Sequence, residues 1–293
     1  MVDIMPPTLA TSSRKSGEDL LVGLCGFITS LLTAVMLWWI EVQLGFAFYT
    51  WMFWFVIPGG ALLSGFAGAS GYYAGSWFFG HRPTRLLLLN IVIASVMTFF
   101  LIHYLSYNSL QVEGKYVSDY IPFTQYLDIV TKSTSMDLRL RAAKVGSTGE
   151  LGGFGYLIAL LQIGGFAAGG FAVYSYLVSK PYCETCSRYL STKGKQTRYT
   201  GDADGLQTVT EQIFDDLRNT AIASALARQK AFGDPAYQKS HHLRSVFEIR
   251  HCKGCRNHWI KFSVEKRSGD DWKGIPELTV AGFTDQVITL EQT

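Results

Sequence analysis

The chain has 293 residues, 48% of them hydrophobic and only 17% charged, where soluble domains carry about 25% charged residues. Of its 26 Lys and Arg and 23 Asp and Glu residues, only Glu41, Arg82 and Arg85 fall within 20–105, and none falls within 151–178. That segregation excludes a wholly soluble enzyme, a disordered chain and a fibrous repeat, and it calls for an apolar solvent around part of the chain.

Residues 20–40 are apolar or small and uncharged, and their helix would be about 30 Å long, the thickness of a bilayer core. The run is longer than that of a signal peptide and no A-x-A-like site follows, so the segment is expected to be retained. Residues 46–80 are interrupted by Pro58-Gly59-Gly60. A crossing over 58–79 is expected, since proline suits the first turn of a helix. Phe46–Val56, rich in aromatic residues, then reads as an interfacial segment. A single kinked helix from about 50 to 79 is the alternative. Residues 86–105 and 151–178 complete a set of four crossings, together spanning 20–178.

Lys and Arg near the membrane ends set orientation. Arg14 and Lys15 precede the first crossing, 41–45 has neither, 81–85 carries Arg82 and Arg85, and Lys180 and Arg188 follow the fourth. Both ends, including the segment 1–19, are therefore expected in the cytoplasm, with 106–150 outside. That segment carries five basic and five acidic residues. It shows a short helical pattern at Phe123, Tyr126, Leu127 and Val130, then a Ser- and Thr-rich run expected to be a partly ordered loop.

Two crossings carry small residues at four-residue spacing: Ala61, Gly65 and Ala69 in the second, and Gly165 with Gly169 in the fourth. Lipid supplies no hydrophobic drive between helices, so close backbone approach supplies the packing energy. Crossings two and four are expected to pack tightly, within one chain or in a homo-oligomer. No Asp, Glu, Lys or Arg sits in the middle of a crossing, which argues against a transporter or channel.

From residue 179 the composition becomes that of a soluble domain, with 17 basic and 14 acidic residues over 179–293. Four of the five cysteines lie there as two pairs, Cys183-Glu-Thr-Cys186 and Cys252-Lys-Gly-Cys255. One C-x-x-C turn presents two thiolates, and two such turns complete a tetrahedral Zn²⁺ site at about 2.3 Å per bond. Arg188–Leu190 and Gln196–Thr200 are read as a hairpin around Lys193-Gly194-Lys195. Ser245–His251 and Asn257–Val264 alternate as strands about the second pair. This arrangement resembles a zinc ribbon over 179–200 and 244–267. The resemblance implies a small α+β domain in which Cys183, Cys186, Cys252 and Cys255 hold a structural zinc ion. It departs from the usual pattern in two ways: no glycine follows either pair, and 65 residues separate the pairs.

Those intervening residues read as a helix from about Asp204, with a Thr208/Glu211 capping box and apolar positions running to Ala221, ended by Gly233 and Pro235. The tail suggests a strand over Leu278–Ala281 and another around Val287–Leu290. Thiol redox chemistry and structural disulfides are the competing readings of the cysteine pairs. His241, His242, His251 and His258 gather near the second pair, with four cysteines already sufficient as ligands. Arg250, Lys253, Arg256 and Lys261 make that region basic, but a surplus of three charges over the domain argues against nucleic acid. No P-loop, dinucleotide fingerprint, H-E-x-x-H or G-x-S-x-G motif occurs, so catalysis has no support.

The expectation is a four-helix membrane bundle with a cytoplasmic zinc-ribbon-like domain. It would serve as a membrane-anchored interaction or regulatory module for a cytosolic protein partner, suited to a bacterial inner membrane. A membrane thiol–disulfide oxidoreductase and a small-solute transporter or channel are the alternatives.

Overall fold

The computed structural model describes residues 16–53, 57–140, 143–255 and 257–284. The chain divides into two compact units with the boundary between Ser179 and Lys180.

The first unit is built on four long helices: α1 (Ser16–Leu44), α2 (Gly59–Phe79), α3 (Arg85–Ser109) and, after the segment described below, α5 (Phe154–Val178). Three helical stretches, Leu20–Leu44, Arg85–Ser109 and Phe154–Val178, are long and apolar enough to cross a membrane. The expected fourth, 58–79, does form a helix of 21 residues. Its glycine, alanine and serine content keeps it less apolar than the others, so three helices qualify by length and composition. The expected boundaries fell short of α1 at both ends, because a helix does not stop where its apolar run does.

Helix α2 begins immediately after Pro58, which occupies its N-cap position. The kinked alternative from residue 50 is therefore wrong. Instead, Phe48–Thr50 forms a single 3-10 turn, and Phe53 pairs with Ile57. Tyr49 is buried in this segment, in edge contact with Phe99 and His103.

Helices α2 and α5 meet through their small residues. A Cβ on Gly65 would lie 2.1 Å from the Phe166 carbonyl oxygen, and one on Gly169 would lie 2.2 Å from that of Leu62. No side chain fits there, so the two stripes are consumed within one chain. Helix α1 joins α2 through Thr29, whose hydroxyl donates to the Gly68 carbonyl at 2.7 Å and accepts from the Gly71 N–H at 3.1 Å. At the other end of α1, Trp38 Nε1 donates to Ser109 Oγ at 2.9 Å and Ser106 Oγ donates to Glu41 Oε2 at 3.0 Å. Gln162 is buried among the helices, as is His103, whereas Asn90 is exposed.

Between α3 and α5 the chain forms strands β1 (Gln111–Val112) and β2 (Lys115–Tyr116), a 3-10 turn at Val117–Asp119, helix α4 (Phe123–Ser133), and strands β3 (Ser135–Leu140) and β4 (Ala143–Glu150). Helix α4 carries the expected Phe123, Tyr126, Leu127 and Val130 face. Tyr126 packs with Tyr107 and Val117, and the Tyr107 hydroxyl donates to the Ile121 carbonyl at 2.8 Å. The Ser- and Thr-rich run is not the expected loop: β3 and β4 pair as an antiparallel hairpin.

The second unit contains β5 (Tyr182–Cys183), β6 (Arg188–Tyr189), β7 (Ser191–Thr200), α6 (Ala203–Arg218), α7 (Ile222–Ala231), β8 (Leu243–His251), β9 (His258–Ser268) and β10 (Asp271–Thr284). Four strands form an antiparallel sheet in the order β10-β9-β8-β7. One face is covered by the two helices: Phe247, Ile249, Phe262 and Val264 from the sheet pack with Leu206, Ile213, Leu217 and Leu226.

Two local readings are corrected here. Lys193-Gly194-Lys195 is not a hairpin turn; it lies inside β7, where the pairing with β8 shifts between Thr192 and Gly194. The bulge absorbs the glycine, while Arg188–Tyr189 pairs back onto Tyr182–Cys183. The expected single helix is also two. Its N-cap is Asp202, whose carboxylate accepts from the Gly205 N–H at 3.0 Å, so Asp204 and Thr208 sit within the helix. It ends at Arg218, and Thr220 takes a φ of +57° before α7 begins. Leu278–Ala281 lies within β10, and the Val287–Leu290 strand falls outside the described residues.

Candidate metal centre

The register of the sheet determines where the cysteines meet. Ser191 pairs with His251 and His251 pairs with His258, so the start of β7, the end of β8 and the start of β9 share one end of the sheet. The β5–β6 hairpin carries Cys183 and Cys186 into β7, and Cys252 and Cys255 lie in the β8–β9 connection. The four sulfurs lie within 4.8 Å of one another. The closest described contact is Cys183 Sγ to Cys255 Sγ at 3.4 Å, between the two pairs. A tetrahedron of sulfurs each about 2.3 Å from a central zinc has edges of about 3.8 Å. Four cysteines in this arrangement could hold a metal ion.

The cluster has an apolar jacket. Cys183 and Cys252 are buried with Leu190, and Trp259 and Phe283 pack against them. Backbone groups orient the second pair: the Gly254 N–H donates to Cys252 Sγ at 3.4 Å, and the Cys252 N–H donates to the Asn257 carbonyl at 2.8 Å. Gly254 also admits the other pair. A Cβ there would lie 2.8 Å from Cys186 Sγ.

Electrostatics couples the four thiols. Burial, followed by contact with the neighbouring thiols, pushes Cys183 up to about 11 and Cys186 up to about 12. Burial also opposes ionisation of Cys252, but N–H groups of Cys255 and Gly254 and the thiols of Cys183 and Cys255 outweigh it and bring Cys252 down to about 7. The Cys252 thiolate is thus favoured over those of Cys183 and Cys186. Ionising all four requires a cation among them, because like charges at these separations oppose one another.

The absent knuckle glycine has a counterpart here. Ser187, immediately after Cys186, adopts a φ of +50°, the left-handed conformation glycine would take without strain. The equivalent Arg256 lies outside the described residues. Gly254's role is not legible in the sequence, since a glycine inside a C-x-x-C pair contacts its own turn by default; only the approach of the other pair makes it necessary.

None of the four histidines joins the sulfur group among the described residues. His241 Nε2 pairs with Asp234 at 3.0 Å, His242 is exposed, and His251 faces His258 across the β8–β9 ladder, with ring centroids 6.5 Å apart. His258 Nε2 lies 3.1 Å from Lys193 Nζ. Of the basic residues, Arg250 pairs with Glu248 at 2.6 Å and Lys253 is exposed.

No family model matches the chain, and no curated protein or solved structure is significantly similar to it.

Proposed function

We propose that the chain is a membrane-anchored zinc-binding module: α1, α2, α3 and α5 cross a bilayer with both ends cytoplasmic, and the second unit is a zinc-stabilised domain for a cytosolic protein partner. The observation that carries the metal reading is the mutual approach of the four sulfurs within 4.8 Å from two C-x-x-C turns far apart in sequence. Tetrathiolate sites of this kind are closed, so the ion stabilises the fold and performs no chemistry. The membrane reading rests on the three apolar helices and on α2, which has length enough to span and packs its small-residue face against α5. Arg82, Arg85, Lys180 and Arg188 supply the positive charge that orients them. The Gly65 and Gly169 stripes are already paired within the chain, whereas Gly164, Ala168 and Ala172 on α5 are exposed and leave a small-residue face for a second copy.

The test uses the full chain, purified in detergent under reducing conditions without added metal. One zinc per chain, with Cys183, Cys186, Cys252 and Cys255 unreactive until the metal is stripped, supports the module. A metal-free protein in which one cysteine pair cycles between dithiol and disulfide overturns it and moves the chain to the thiol oxidoreductases.

A further inference from the structure

The helix-free face of the C-terminal sheet is a ladder of basic and aromatic side chains. Cross-strand partners share a face in an antiparallel sheet, so the register assigns each row. One row runs Tyr199, Arg244, Glu265, Gly274; another runs Lys195, Glu248, Lys261, Ala281; and a third, at the cysteine end, runs Arg250, Trp259, Phe283. Arg267 pairs with Trp272 at the far end of the same face. The strand positions of the face hold five basic residues (Lys195, Arg244, Arg250, Lys261, Arg267) and two acidic ones (Glu248, Glu265), a surplus of three; Arg244 and Arg250 pair with those two glutamates, and Arg267 meets Asp270 of the following turn at 3.7 Å. Over 179–293 the sequence carries 17 basic and 14 acidic residues, also a surplus of three. One face therefore carries a surplus equal to that of the whole domain, while the opposite face is sealed by α6 and α7.

We infer that this face binds anionic phospholipid headgroups of the membrane that carries the chain. Two observations favour lipid over a nucleic acid. First, the arginines lie across the tryptophan rings: the Arg244 guanidinium is 4.5 Å from the Trp272 centroid, and that of Arg250 is 5.7 Å from the Trp259 centroid. A stacked guanidinium occupies the ring face that an unpaired base would need, yet its charge still attracts phosphate. Indole and guanidinium side by side suit the polar boundary of a bilayer, where amphipathic aromatics and Arg or Lys both concentrate. Second, only Ser179, Lys180 and Pro181 separate α5 from β5. Three extended residues reach about 10 Å, close to the distance over which physiological salt leaves a surface charge unscreened. A tether this short lets weak headgroup contacts act at high effective concentration.

The inference rests on the membrane reading of α1, α2, α3 and α5, and the experiment separates the two. The full chain is placed in lipid discs of phosphatidylcholine alone or with phosphatidylglycerol, and lysine acetylation by a water-soluble reagent is followed by mass spectrometry. Failure to enter either disc overturns the membrane reading itself. In discs that accept the chain, Lys195 and Lys261 should react about fivefold more slowly with phosphatidylglycerol present. Exposed Lys230, on α7, should not change. The difference should vanish at high salt, and Lys261→Glu should weaken the protection of Lys195. Equal rates in the two lipids overturn the inference. So does protection by a short single-stranded oligonucleotide in phosphatidylcholine discs without protection by phosphatidylglycerol, which would assign the face to nucleic acid.

Discussion

The two units of this chain solve packing in opposite ways. In the helical unit many large apolar side chains point outward: Phe27 is 63% exposed, Phe78 82% and Leu160 65%. Its interior combines direct backbone approach at Gly65, Gly71 and Gly169 with a cluster of buried Phe99, Ile102 and Phe166. In the C-terminal unit Phe247, Phe262 and Ile213 are almost wholly enclosed. Water rewards the burial of large apolar surface. Lipid does not, so there the contact energy must come from close fit between helices. A deletion of volume should therefore damage the second unit most, and an addition of volume the first.

Five substitutions and one control sharpen that contrast, from the largest expected effect to the smallest. Cys183→Ser should abolish metal retention and cost the C-terminal unit at least about 4 kcal/mol, as the loss of a metal site does. Zinc content and hydrogen exchange across β7–β9 report it, with exchange over α1–α3 unchanged. Phe262→Ala empties the centre of the sheet–helix core and should cost about 3–5 kcal/mol; denaturant unfolding followed at the sheet measures it. Gly65→Ala places a methyl against the Phe166 backbone and should cost the bundle about 1–3 kcal/mol. Gly164→Ala, which meets nothing within 4 Å, is the control. Equal responses of the two in a steric-trapping assay would refute the close α2–α5 fit. Gly254→Ala should weaken metal binding about tenfold, in the range typical of residues supporting a ligand, as read by competition with a chromogenic chelator. Ser187→Gly should instead stabilise the domain by about 1 kcal/mol, because it removes a left-handed non-glycine residue; a lowered melting temperature would contradict this.

The same contrast explains what the sequence disclosed. The apolar helices were legible because exclusion of charge acts on every residue of a long segment. The cysteine pairs were legible because a metal site demands rare residues at fixed spacing. The Gly65 and Gly169 stripes were legible for a related reason, since small residues in lipid have few uses besides close approach. Other features were hidden. Thr220 breaks the α6–α7 run through its backbone angle, with neither glycine nor proline to announce it. Lys193-Gly194-Lys195 has the composition of a turn, and only pairing with Arg250 and Ile249 makes it a bulge within a strand. In the β3–β4 hairpin, Met136, Leu138 and Leu140 alternate with Ser135, Asp137 and Arg139, which is a strand signal, whereas β4 is mostly small and polar and carries none. Gly254 is needed because Cys186 arrives beside it, and that proximity is created by the fold.

The distance along the chain between the two halves of the sulfur cluster has a consequence for biosynthesis. Cys183 and Cys255 touch at a separation of 72 residues, and synthesis proceeds at about 5–20 residues per second. The first pair therefore emerges roughly 4–14 seconds before its partners exist. During that interval α5 is already available to the membrane, while β7 has neither β8 to pair with nor a second knuckle beside it. A tight four-sulfur site can be completed only once Cys255 has been made. Metal capture should accordingly follow delivery of α5 to the membrane, and a chain truncated before Cys252 should reach the membrane yet be cleared by proteolysis for want of a closed domain.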